Sequence, residues 1–176
     1  MSNSEVVTLY VNGVKHVYSV GPNEGQIPCD ETLLYTLRNR LHLTSVKRSC
    51  EEGACGCCTV LIDGEAQTSC MRLTVDCDGS RITTLEGLAD PETGKLSPIQ
   101  QAFLDYEAFQ CGFCTPGIVM AAYGLFLKNP HPTHEEIEEA LSGNYCRCIS
   151  HYHVFEALDS LAGRTVDLDE KWRDRR

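Results

Sequence analysis

The sequence has no apolar run of the roughly 18 residues that a membrane-crossing helix needs. Residues 1–11 have neither a basic stretch nor an apolar core, so a secretory leader is not expected. Positive charge is scarce: 15 Lys and Arg against 25 Asp and Glu give a net charge of −10. That balance argues against a nucleic-acid or anionic-membrane partner. There is no Gly-x-Gly-x-x-Gly fingerprint and no P-loop. The six histidines show neither zinc-protease nor catalytic-triad spacing and read as surface or hydrogen-bonding residues. At 42% hydrophobic and 23% charged, the composition is that of a soluble globular protein, which excludes collagen-like and disordered classes. A chain of 176 residues suffices for one ordinary domain or two small ones.

Cysteine is what the sequence has in excess: eleven residues. A disulfide framework fits poorly, because thiols stay reduced in the cytoplasm expected here, the count is odd, and Cys55, Cys57 and Cys58 are too crowded to pair. Two metal readings remain. Structural zinc takes four Cys or His ligands, commonly as two Cys-x-x-Cys-like pairs. A plant-type [2Fe–2S] cluster takes Cys-x4-Cys-x2-Cys and a distant fourth cysteine. Cys50, Cys55 and Cys58 have that spacing, and Cys70 follows as the natural fourth ligand. Gly53 and Gly56 between them permit positive φ and close backbone approach, so that N–H groups can turn toward sulfur. A second group pairs Cys111-x2-Cys114 with Cys146-x-Cys148. Its spacing alone leaves both iron–sulfur and zinc open. Cys29, Cys57 and Cys77 remain over and read as small apolar residues or free thiols.

The chain divides into two halves. Residues 6–12 and 14–20 alternate apolar and polar around Asn12-Gly13, which predicts a hairpin. Asp30 is placed to cap a helix whose Leu33, Leu34, Leu37 and Leu41 form one apolar face. After the cysteine loop, residues 59–63 and the Asp63-Gly64 turn predict a second hairpin, and residues 72–77 and 81–85 alternate like strands. One helix on a small mixed sheet is an α+β layer. The second half is helical. Ser97-Pro98 and Thr115-Pro116 are start signals, Thr133 and Glu136 form a capping box, and Ser150 caps a fourth helix. Ile99, Phe103 and Tyr106 share one face, the segment 118–127 is apolar nearly all round, and Tyr145 and Tyr152 are expected to pack in the core. Four helices with short connections predict a bundle. Both cysteine pairs of this half precede helices, whose N-termini favour thiolates. The expected division is residues 1–86, 87–163 and a charged tail 164–176.

The motifs Cys50-Glu-Glu-Gly-Ala-Cys-Gly-Cys-Cys-Thr-Val60, Gln110-Cys-Gly-Phe-Cys-Thr-Pro-Gly117 and Asn144-Tyr-Cys-Arg-Cys148 resemble the small iron–sulfur subunit of molybdenum hydroxylases, the xanthine dehydrogenase and aldehyde oxidoreductase family. The resemblance covers about residues 5–162. It implies a β-grasp plant-type ferredoxin-like domain followed by an all-α four-helix domain, with one [2Fe–2S] cluster in each. The implied ligands are Cys50, Cys55, Cys58 and Cys70, then Cys111, Cys114, Cys146 and Cys148. It further implies that Gln110 and Cys148 approach a molybdopterin cofactor on a large partner subunit. Electrons would pass from there through the helical-domain cluster to the plant-type cluster, then to FAD on a medium subunit or to another acceptor. A heterotrimer, or a dimer of heterotrimers, in the cytoplasm is the implied assembly. This chain would then perform no substrate chemistry itself. A stand-alone two-cluster carrier and a zinc-binding interaction module are the alternative readings.

Overall fold

The computed structural model describes residues 6–148, 151–164 and 168. Strands β1 (Val6–Val11) and β2 (Val14–Ser19) form the expected hairpin, with Asn12 and Gly13 at positive φ in its turn. β3 (Thr59–Ile62) and β4 (Glu65–Thr68) form the second hairpin across Asp63 and Gly64. β5 (Arg81–Thr83) lies between them, parallel to β1 and antiparallel to β3. The sheet order is β2-β1-β5-β3-β4. Helix α1 (Leu33–Tyr35) continues as a π-helical turn, Thr36–Arg40, and buries Leu33, Leu34 and Leu37 against the sheet.

Two local expectations are corrected here. Thr32, not Asp30, caps α1, its hydroxyl accepting from the Tyr35 N–H at 3.3 Å. Residues 72–77 are not a strand: one isolated bridge joins Leu73 to Thr32, and Val75–Cys77 is a 3-10 turn. The reason is the buried Glu31. Its carboxylate takes Nε and a terminal nitrogen of Arg40 at 2.8 and 2.6 Å and the Thr36 hydroxyl at 2.5 Å. Thr36 in turn contacts the Thr74 hydroxyl at 2.7 Å, and the Glu31 carbonyl accepts from the Thr74 N–H at 2.9 Å. The segment after Cys70 is thus tied to α1, and the sheet edge gives up its alternation.

The second half contains α2 (Pro98–Asp105), α3 (Thr115–Lys128), α4 (His134–Leu141) and α5 (Tyr152–Ala162). Ser97 caps α2 in a full capping box with Gln100, and Thr133 with Glu136 does the same for α4. The expected Ser150 cap lies outside the described residues. Tyr106 ends α2 and leaves the core, and Tyr145 and Tyr152 are exposed at 60% and 64%, so these tyrosines are surface residues. No helix among the described residues is long and apolar enough to cross a membrane.

The two halves share a wall. β3 is buried on both faces: Val60 and Ile62 enter the core under α1, whereas Leu61 enters the core built by α2–α5. Helix α3, buried nearly all round as its composition predicts, lies against that wall through two glycines. A Cβ on Gly124 would meet the Ala66 methyl at 3.0 Å, and one on Gly117 would sit 2.1 Å from the Gly56 carbonyl oxygen. A second tie closes the junction. Glu86 accepts from the Ser45 N–H at 2.9 Å, the Ser45 hydroxyl at 2.5 Å and the Thr84 hydroxyl at 2.6 Å. Crowding by the protein works against its charge, but these donors prevail and hold its pKa below the usual value.

Two predictions follow from the shared wall. Gly117→Ala will cost about 3 kcal/mol in chemical denaturation, because the methyl meets fixed backbone. Gly124→Ala will cost about 1 kcal/mol, since the gain in helix propensity only partly offsets a tight contact with the Ala66 Cβ, which moves only with its strand. For Glu86 the lowered native pKa means its contribution is full above the unfolded value, near 4.5, and is lost as pH falls through the native one. The urea-midpoint difference between wild type and Glu86→Gln, under about 1 kcal/mol for an exposed carboxylate, will therefore be present at neutral pH and vanish in acid.

Candidate metal centres

The first cysteine group lines a loop built from backbone, residues 50–58, with Gly53 and Gly56 at φ 73° and 68°. In its second half, residues 55–58, every carbonyl is claimed by a donor. The Cys55 carbonyl accepts from the Tyr145 N–H at 3.0 Å and the Cys57 carbonyl from the Lys47 N–H at 3.3 Å. Gly56 accepts from the Thr59 hydroxyl at 2.7 Å and the Asn144 amide at 3.1 Å, and Cys58 from the Ser69 hydroxyl at 2.8 Å. With these carbonyls turned outward, the loop presents N–H groups to sulfur: the Glu52 N–H donates to the Cys50 sulfur at 3.4 Å. A Cβ on Gly53 would meet only the exposed, flexible Met71 side chain, so its positive φ is what calls for glycine there.

The thiols of this site act on one another's charge: the Cys50 side chain favours the Cys55 thiolate, and the Cys58 side chain disfavours that of Cys70, which lies beyond the loop. Burial opposes the Cys55 thiolate, yet backbone groups of Cys57 and Cys50 and the side chains of Cys50 and Ser49 bring its pKa to about 7. Burial pushes Cys70 up to about 12, helped by its partner Cys58.

The second group has the same paired form. The Cys111 and Cys148 sulfurs lie 3.6 Å apart at the surface, and Cys114 pairs with Cys146 inside. Cys114 is the N-cap of α3 and Cys111 sits one turn before it, as expected. Cys148 precedes α5 by four positions, so this pair is carried by the segment after α4 and not by a helix start. The Phe113 backbone, then Cys148, lower the Cys111 pKa, while burial and then Cys146 push Cys114 to about 12. Gln110 is exposed beside the outer pair, with Phe109 and Phe113.

Among the described residues, no three His, Cys, Asp or Glu side chains converge on one point. Two pairs of thiols suit a two-iron cluster, in which each iron takes two thiolates. Of the spare cysteines, Cys29 and Cys77 lie away from both groups, and Cys57 lies within the first loop beside Cys55. Cys29 is exposed, and Cys77 is buried beside the Leu73 carbonyl with its pKa raised by burial. Cys57 is buried in the helical core with its thiol pushed to about 12, first by burial and then by Cys55. Asn144 and Ser69 are the functional residues that spacing did not single out. Asn144 enters only as the first residue of the motif Asn144-Tyr-Cys-Arg-Cys148, with no role of its own.

Fold and thiol pairs together define a two-domain iron–sulfur protein. Residues 19–84 match the 2Fe-2S iron-sulfur cluster binding domain family, and residues 84–159 match the [2Fe-2S] binding domain family. The nicotine 6-hydroxylase small subunit of Paenarthrobacter nicotinovorans is 44% identical over 158 residues, 90% of each chain. The nicotinate dehydrogenase small FeS subunit of Eubacterium barkeri is 44% identical over 156 residues, 89% of this chain and 94% of that one. The crystal structure of quinoline 2-oxidoreductase from Pseudomonas putida 86 superposes with a TM-score of 0.80 at 37% identity, covering 92% of this chain and 94% of its own. The chain belongs to the small iron–sulfur subunits of molybdenum hydroxylases, the xanthine dehydrogenase and aldehyde oxidoreductase family. It binds two [2Fe–2S] clusters and serves in electron transfer within an oxidoreductase complex.

The burial of Cys57 and Cys77 carries a prediction. Cys57→Ala and Cys77→Ala will each keep the full iron content of two clusters and lose about 1 kcal/mol of stability for the deleted sulfur, as read by iron analysis and thermal melting.

Proposed function

We propose that this chain relays electrons from a large molybdopterin-binding subunit, received at its helical domain and delivered from its ferredoxin-like domain. Cys111, Cys114, Cys146 and Cys148 hold the first cluster, and Cys50, Cys55, Cys58 and Cys70 hold the second. When bound, each cluster supplies a one-electron carrier. The observation that carries the reading is the polarity of the helical-domain site. Its outer pair, Cys111 and Cys148, is exposed beside Gln110, whereas its inner pair includes the buried Cys114, close to the buried Cys57.

The rest of the chain's contribution is orientation and exclusion of water. The Gln110 amide can both donate and accept, which suits the polar edge of a pterin. Backbone N–H groups such as that of Glu52 stabilise thiolate charge at the plant-type site. Burial of Cys58 and Cys70 keeps solvent from one side of that site and leaves Cys50 and Cys55 half-exposed. The units meet near residue 86, where the 3-10 turn Leu85–Gly87 joins them. A medium FAD-binding subunit is the proposed acceptor, in a cytoplasmic heterotrimer or a dimer of heterotrimers.

Low-temperature EPR of the dithionite-reduced full chain tests the ligand sets. Wild type will show two distinct [2Fe–2S] signals; Cys55→Ser will alter or abolish the plant-type signal and spare the other. Two unchanged signals in Cys55→Ser would remove that residue from the ligand set. Co-purification with a molybdenum-containing chain from native extract tests the complex, and a free monomer would make the protein a stand-alone carrier.

A further inference from the structure

The segment between α4 and Cys146 lies directly on the loop that holds the plant-type site. Asn144 is 7% exposed and its side-chain amide donates to the Gly56 carbonyl at 3.1 Å. The next residue's backbone N–H donates to the preceding carbonyl, Tyr145 to Cys55, at 3.0 Å. Two consecutive residues thus bind two consecutive carbonyls. One of those carbonyls belongs to Cys55, and the residue after Tyr145 is Cys146. A continuous path therefore runs from the Cys55 sulfur through its own carbonyl, one hydrogen bond and a single residue of backbone to the Cys146 sulfur. The contact is as close as the backbone allows, since a Cβ on Gly56 would lie 2.5 Å from both the Asn144 amide nitrogen and the Gly143 carbonyl oxygen.

We propose that Asn144 is the positioning residue that sets the separation and electronic coupling of the two iron–sulfur sites. The Gly56 carbonyl is already satisfied within its own loop, by the Thr59 hydroxyl at 2.7 Å and the Thr59 N–H at 3.2 Å. The Asn144 bond is therefore not needed to fold the loop, and its effect is to register the Cys146 segment against it. Asn144 also anchors that segment to α4, its N–H donating to the Leu141 carbonyl at 2.8 Å. Cys57 is the competing bridge, because it is buried near both Cys55 and Cys114; its hydrogen bond to the Cys55 carbonyl, at 3.8 Å, however, stays on the side of its own loop.

The inference rests on the two-cluster reading and is tested apart from it. The probe is the magnetic interaction between the two reduced clusters in the full chain, read as splitting of their EPR signals, with iron content measured alongside. Asn144→Leu keeps the volume and removes the donor. Asn144→Asp keeps the shape, leaves the Tyr145 bond possible and places an acceptor against the Gly56 oxygen. Both variants are expected to keep full iron and two signals but to lose splitting relative to wild type, whereas Cys57→Ala keeps it. Unchanged splitting in iron-replete Asn144 variants overturns the proposal. So does loss of iron from both, which would make Asn144 a residue of the fold alone. A wild type with only one signal would instead refute the two-cluster reading.

Discussion

Everything in this molecule depends on how closely backbone can approach backbone at Gly56. The N-terminal turn of α3 reaches it through Gly117, where a methyl would stand 2.1 Å from the Gly56 oxygen. The segment after α4 reaches it through Gly143 and Asn144. Three pieces of chain, distant in sequence, converge here, and a Cβ on either Gly56 or Gly117 would collide with a neighbour. Cys114 and Cys146 lie within three residues of these contacts, and Cys55 is next to Gly56 itself. The geometry of both thiol sites is therefore set by one packing constraint, and neither can be displaced without the other.

Electrostatics follows from that packing. A carbonyl pointed at a thiolate would repel it, and a loop wrapped round sulfur has to send its carbonyls elsewhere. Here each carbonyl from Cys55 to Cys58 meets a donor: Tyr145, then Thr59 and Asn144, then Lys47, then Ser69. Two of these donors belong to the helical half. The ferredoxin-like loop thus takes from the other domain the backbone donor to its Cys55 carbonyl and an additional bond to Gly56.

The cysteine motifs and their flanking glycines made the site legible, because ligand spacing is a local property. The hairpins, the capping boxes and the apolar α3 were legible for the same reason. What the sequence concealed came from tertiary contacts. Residues 72–77 alternate like a strand, but the buried Glu31 network and the single bridge to Thr32 take their hydrogen bonds away from the sheet. Tyr106, Tyr145 and Tyr152 have the composition of core residues yet lie outside it. The role of Asn144, the first residue of the last cysteine motif, was hidden because its partner is 88 residues away. The pairing of thiols across each site was likewise invisible to spacing, which fixes membership of a group but not who faces whom.

The strand β3, covered on both faces, has a consequence for how such chains can change over generations. A ferredoxin-like unit severed from its helices would bare Leu61 and Cys57 to water, and an isolated helical unit would lose the surface on which Gly117 and Gly124 rest. Neither half is a tradeable module. Separating the two would expose the apolar residues of the shared wall to water, so a stable single domain made from this chain would need polar replacements there.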